Sequence, residues 1–233
     1  MQKKMNSMCL TIAFLGLCLL LPGIICADTA FTPWRNLSSA EIVADMGQGW
    51  NLGNTLDAQA PVETYWGNPM TTRAMLDVVA AAGFKTFRLP VTWDTKIGPA
   101  PDYIIDSHWL DRVVEVANYG LKNDMYVIIN IHHDETWIIP TYAEAPVVKD
   151  KLGKVWTQIA TRFRDYSDYV IFENLNEPRH KGTDEEWSGG TEEGRDVLNQ
   201  YHQVILNAIR ATGGNNAKRQ IMISPYAASA VQV

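Results

Sequence analysis

Apolar residues along positions 28–233 alternate between two periods. Short runs of strand character are followed by longer stretches in which the apolar positions return every three or four residues. The spacing predicts a first strand over Gly47 to Asn54, rich in glycine and poor in branched residues, then a helix capped by Thr71 or Thr72 after Pro69. Met75, Val78, Val79 and Ala82 form its stripe, and Gly83 ends it. A second strand, Phe84 to Leu89, is closed by Pro90, and Asp106 or Ser107 starts a helix with Leu110, Val113, Val114 and Ala117 on one face. The third strand, Met125 to Ile131, is broken in its apolar character only by Asn130, as expected of a parallel strand covered on both faces. A third helix follows from Pro146 to Tyr166 and a fourth strand from Tyr169 to Leu175. A helix over Glu192 to Ala211, stopped by Gly213 and Gly214, leads to a fifth strand, Gln220 to Ser224. Repeated strand then helix is the pattern of a parallel α/β fold.

Residues with chemical potential gather where these strands end: Asn54 after the first, Arg88 and Trp93 around the second, His132 to Asp134 after the third, Glu177 after the fourth. An open doubly wound sheet would gather them at one switch point, and no Gly-rich phosphate loop follows the first strand. Polar residues at four successive strand ends favour a (β/α)8 barrel, whose active site lies at the C-terminal ends of its strands.

Composition changes this picture at the N-terminus. Lys3 and Lys4 precede an apolar run from Cys9 to Ile25, a signal-peptide pattern with cleavage expected after Ala27, so that residues 1–27 are leader and 28–233 the barrel domain. Lipidation at Cys26 is the weaker alternative, since Gly23-Ile24-Ile25 lacks the small residue expected next to such a cysteine. Cleavage removes all three cysteines, leaving core packing without disulfides in a secreted, extracellular protein. It also takes the formal charge from −6 to about −8, which argues against nucleic acid and, once the leader is gone, against membranes as partners. Residues 28–233 fall short of the about 250 that eight strand-helix units normally need.

Glu177 ends an apolar strand in Asn176-Glu177-Pro178, where Pro178 stops the ladder and opens a loop. Burial among apolar groups would raise its pKa and make it a general acid, while Asn176 bonds a substrate hydroxyl; a loop-capping role is the plainer alternative. Glu173, about 13 Å deeper along the strand, is too far to act with Glu177 and is expected to be structural, paired with Arg88 or another polar group inside the barrel. Successive side chains on a strand face opposite ways, so His132 and His133 are not expected to share a metal ion, and no cofactor is called for. His108, His180 and His202 need no function. Trp109 and Trp156 fit helix stripes, whereas Trp50, Trp66, Trp93, Trp137 and Trp187 lie near strand-end loops, where an indole either packs inward or stacks on a sugar.

Five motifs now stand in order: GWNLGNTLDA at 49–58, ETYWGNP at 63–69, FRLPVTW at 87–93, VIINIHHD at 127–134 and IFENLNEPR at 171–179. Together they closely resemble bacterial endoglucanases of glycoside hydrolase family five, of the clostridial and rumen type, over Asn36 to Tyr226. The resemblance implies a (β/α)8 barrel that hydrolyses β-1,4-glucan with retention of configuration. It implies Glu177 as acid/base, Asn176 on the sugar 2-hydroxyl, Arg88 and His132 as strand-end polar residues, and His133, Asn54 and Trp137 along the cleft. The family also has a nucleophilic glutamate after strand seven, a His and Tyr after strand six and a Trp after strand eight, and the sequence ends after strand five. Glu135 is the nearest substitute for that nucleophile and a poor one. The expectation is therefore a truncated barrel carrying one half of a retaining site, inactive alone and prone to self-association. A xyloglucanase, xylanase or mannanase of the same fold, or a non-catalytic sugar-binding fragment, are the alternatives.

Overall fold

The structure is a computed structural model that describes residues 32–230; the leader expected at 1–27 lies outside them. Five parallel strands, β1 (Gly49–Asn51), β2 (Thr86–Leu89), β3 (Tyr126–Asn130), β4 (Val170–Glu173) and β5 (Ile221–Met222), pair in sequence order in one sheet. Helices α2 (Arg73–Ala81), α3 (Ser107–Leu121), α4 (Ala145–Arg162) and α5 (Glu192–Ala211) join them. Sequential parallel pairing through helices is the wall of a (β/α)8 barrel, of which five units are present here. The strands are shorter than the apolar runs predict, most of all the first and fifth, which lie at the sheet's edges among the described residues.

The period of two divides each strand between two environments. Phe87, Leu89, Val127, Ile129, Val170 and Phe172 point outward into the main core against the helices. Gly120 lets α3 come close there, since a Cβ at that position would stand 2.8 Å from the Phe87 ring. Tyr126, Ile128 and Ile171 point inward and pack on Ile42. Ile42 belongs to α1 (Ser39–Met46), a helix the apolar pattern does not reveal. Its start is a capping box in which Ser38 and Glu41 bond each other's backbone N–H. Asp106 caps α3 through the N–H groups of His108 and Trp109, and Thr191 caps α5 through that of Gly194.

Register sets the site. Arg88 lies level with Ile128, and Asn130 level with Glu173, so inward-facing polar groups begin only where the apolar layer stops, toward the C-terminal strand ends.

Candidate active site

Arg88 reaches one layer up and across β3 to Glu173. Its Nε and Nη2 each donate to a different oxygen of that carboxylate at 2.6 Å, the bidentate pairing an arginine in a strand requires. Nη1 donates to Asn51 Oδ1 at 2.9 Å and Nη2 also to Asn176 Oδ1 at 2.9 Å. With its oxygen held by Arg88, the Asn176 amide has its NH2 left to donate elsewhere.

Asn130 organises the next part. The Val91 N–H donates to Asn130 Oδ1 at 3.1 Å, so its Nδ2 is the atom that lies 3.1 Å from both Glu173 Oε1 and His132 Nδ1. His132 Nδ1 therefore accepts, and the ring's hydrogen is on Nε2. Burial, with His133 and Arg88 adding to it, pushes the His132 pKa down to about 3, so the ring is neutral at pH 7.

The strand-alternation argument about His132 and His133 does not hold. β3 ends at Asn130, both histidines lie beyond it, and their rings meet edge to face with centroids 4.5 Å apart. Ligand atoms of Asp57, His132 and His133 come within 4.8 Å of one another. The donor set nonetheless fits a metal poorly. Both Asp57 oxygens accept backbone N–H groups, from Asn54 at 3.0 Å and Thr55 at 2.7 Å. A metal on His132 Nε2 would drive the proton to Nδ1, against the Asn130 amide hydrogen. The trio suits a hydroxyl-rich ligand better than an ion.

Glu177 departs from the expected apolar burial. Its side chain is 40% exposed, and Arg179, two residues on, turns back so that Nη1 donates to the Glu177 carbonyl at 2.9 Å and stands 3.5 Å from Oε2. The buried Arg179 also pairs with Glu135 at 3.2 Å and Glu186 at 2.8 Å. Burial works against the Glu135 charge, but the His133 hydrogen bond, a backbone hydrogen bond and the charges of His133 and Arg179 together bring its pKa down to about 2. Arg179 and Asp57 were not singled out by sequence reasoning, and Glu135 only as a poor substitute for the nucleophile. Pro178-Arg179 directly after a candidate acid was the available signal.

The tryptophans divide. Trp93 is core: its indole N–H donates to Asn130 O at 2.9 Å and its backbone N–H to Asp134 at 3.0 Å. Trp50 packs on Phe87. Trp137 is half-buried, with its N–H on Asp134 at 2.8 Å and Lys151 4.0 Å over its ring. Burial raises the Asp134 carboxyl to about 7 despite these two donors. Trp66 and Trp187 are the exposed pair. The structure thus joins Arg88, Asn176 and His132 in one network, sets His133 beside it and Glu177 next in chain to Asn176, and leaves Asn54 exposed on the loop after β1 with Trp137 off to one side.

The chain is similar to known proteins. The chain is 57% identical over 207 residues to endoglucanase B of Clostridium cellulovorans, a match covering 89% of this chain and 47% of that relative. It superposes on the solved structure of ZgEngAGH5_4 in complex with a cellotriose with a TM-score of 0.85 at 65% identity, covering 85% of this chain and 60% of the other. A broad-specificity endoglucanase from Ruminococcus champanellensis with bound cellotriose gives a TM-score of 0.84 at 49% identity, covering 85% and 60%. The chain spans about half the length of the first of these. Residues 50–232 match the cellulase family, glycosyl hydrolase family 5, and with the ordered strand-end residues above this places the chain in that family.

Proposed function

We propose that this chain carries the acid/base half of a retaining endo-β-1,4-glucanase site. One observation carries the reading: Glu177 stands half-exposed at the mouth of β4, beside an Asn176 whose amide Arg88 has turned NH2-outward. In that reading Asn176 Nδ2 and His132 Nε2 donate to hydroxyls of the sugar at the cleavage point. Glu177 protonates the glycosidic oxygen as a second carboxylate attacks the anomeric carbon, and then deprotonates the water that releases the sugar. Retention needs that second carboxylate about 5 Å away. Glu135 and Glu186 are engaged by Arg179, and Glu173 by Arg88, so none of these three is free to attack. The substrate class follows the cellotriose in the two solved relatives. Export after removal of residues 1–27 belongs to the same proposal.

The test is reducing-sugar release from barley β-glucan. The 233-residue chain alone is expected to release none, while a chain continued to the length of its relatives hydrolyses the polymer and loses about 10²–10⁴-fold in rate on Glu177→Gln. Hydrolysis by the 233 residues alone, or an unaffected Glu177→Gln, would defeat the reading. The broad specificity named for the Ruminococcus relative favours adding xyloglucan, xylan and mannan to the panel.

A further inference from the structure

Asn130 ends β3 fully buried, where an amide is costly unless each of its polar atoms has a partner. This amide is spent completely. The Val91 N–H donates to Oδ1 at 3.1 Å, and the two hydrogens on Nδ2 serve Glu173 Oε1 and His132 Nδ1, each at 3.1 Å. Two of those partners admit one orientation only. The Val91 N–H cannot accept, and the Glu173 carboxylate, which accepts from Arg88 at both oxygens, has no hydrogen to give. Turning the amide over would set donor against donor at Val91 and acceptor against acceptor at Glu173, so the third partner, the imidazole, must conform to the amide.

A neutral imidazole in water exchanges its hydrogen between two nitrogens, so the nitrogen that faces a ligand is a donor in one form and an acceptor in the other. Only one form suits Asn130. The histidine cannot swing away to escape this choice, because its own N–H donates to the Val91 carbonyl at 2.9 Å while the Val91 N–H holds the amide. The hydrogen therefore stays on Nε2. Glu173 governs the neighbouring arm as well: it grips Arg88, and Arg88 grips the Asn176 oxygen at 2.9 Å, which turns the Asn176 NH2 outward. Both arms end in donors.

We propose that Asn130 is a positioning residue that locks His132 in its Nε2–H tautomer, so that the site meets its ligand with two fixed donors and selects oxygen atoms able to accept from them. The identity of that ligand rests on the glucan reading of Glu177. A donor fixed in advance loses none of its binding energy to tautomer exchange.

The test is NMR of the full 233-residue chain with nitrogen-15 in its histidine rings, at pH 7, where burial keeps the His132 ring neutral. Five histidines contribute signals, and His132→Gln identifies the ring by its loss. The expected spectrum shows a bare Nδ1 and a protonated Nε2, and Asn130→Ala moves both signals toward intermediate values. Hydrogen on Nδ1, or averaged signals, in the unsubstituted chain overturns the lock even if Asn130→Ala does not fold. A folded Asn130→Ala whose His132 signals stay in place overturns it too. With Glu177→Gln added to stop turnover, Asn130→Ala is expected to weaken cellohexaose about threefold by calorimetry, the size of one compromised hydrogen bond. Unchanged affinity overturns the positioning role and leaves the glucan reading standing. No binding by any form overturns both, and the tautomer spectrum separates that result from failure of the lock.

Discussion

Two arginine-centred networks sit at opposite ends of the same strands. At the amino end, Arg35 donates to Asp168 at 2.8 Å, Asp45 at 2.9 Å and the Tyr126 hydroxyl at 2.6 Å, and lies over the Tyr169 ring. Tyr126 closes the loop by donating to Asp45 at 2.7 Å. At the carboxyl end, Arg88 gathers Glu173, Asn51 and Asn176, and Asn130 extends the set to His132. The lower network turns inward: the Arg35 and Tyr126 donors go to Asp168, Asp45 and each other, with Asp168 Oδ1 alone left buried without a partner among the described residues. The upper one is complete toward the barrel wall but leaves the Asn176 NH2, the His132 Nε2–H and the Glu177 carboxylate facing away from it. A polar cluster that only holds a fold together closes on itself, and one that serves a ligand is closed on the protein side alone.

The largest expected effect breaks the lower network. Arg35→Met strands the buried Asp168 and should destabilise the chain by about 3–5 kcal/mol in urea unfolding, with cellohexaose affinity of the folded fraction unchanged. Arg88→Met should lower stability by about 3 kcal/mol, somewhat less because Glu173 keeps the Asn130 amide as a donor, and should also weaken cellohexaose at least tenfold by freeing Asn176. Equal binding losses in the two variants would erase the distinction between the networks. A smaller effect is read by pH. His202 is buried against Asn174, whose Nδ2 lies 2.7 Å from its Nδ1, and burial lowers its pKa from 6.5 to about 4. The unfolded chain takes up this proton near pH 6.5 and the folded one does not. The contribution is thus intact above pH 6.5 and is lost as pH falls toward 4, about 2 kcal/mol of it by pH 5. His202→Gln should flatten that part of the stability-pH curve; an unchanged slope would show that His202 does not titrate as its burial demands. Smallest of all, Glu177→Gln should change stability by less than about 0.5 kcal/mol, since its side chain belongs to no closed network.

What could be read from the chain alone follows from how local each cause is. Helices α2 to α5 came from periodicity, and the Arg88–Glu173 pair from the rule that a guanidinium in a strand needs a carboxylate. The errors arose where a residue's setting depends on the distant chain. His132 and His133 converge because β3 stops at Asn130, one residue before its apolar run ends and short of both histidines. Trp93, left open between core and cleft, turns inward to a carbonyl of β3, and His202, read as needing no function, ties α5 to Asn174 just past β4. Glu177 is flanked by a charge because Arg179 folds back over a proline, which no spacing of apolar residues announces. Trp187 could be placed near the strand ends but not on Arg179, since that contact spans a loop.

The stretch from His180 to Gly190 is secured at its two ends by one side chain, Tyr226, through its hydroxyl at the start and its ring at the finish. Such a segment behaves as a cassette. One side chain thus governs both where this rim begins and where it ends, so trimming Tyr226 to alanine would release the two anchor points together.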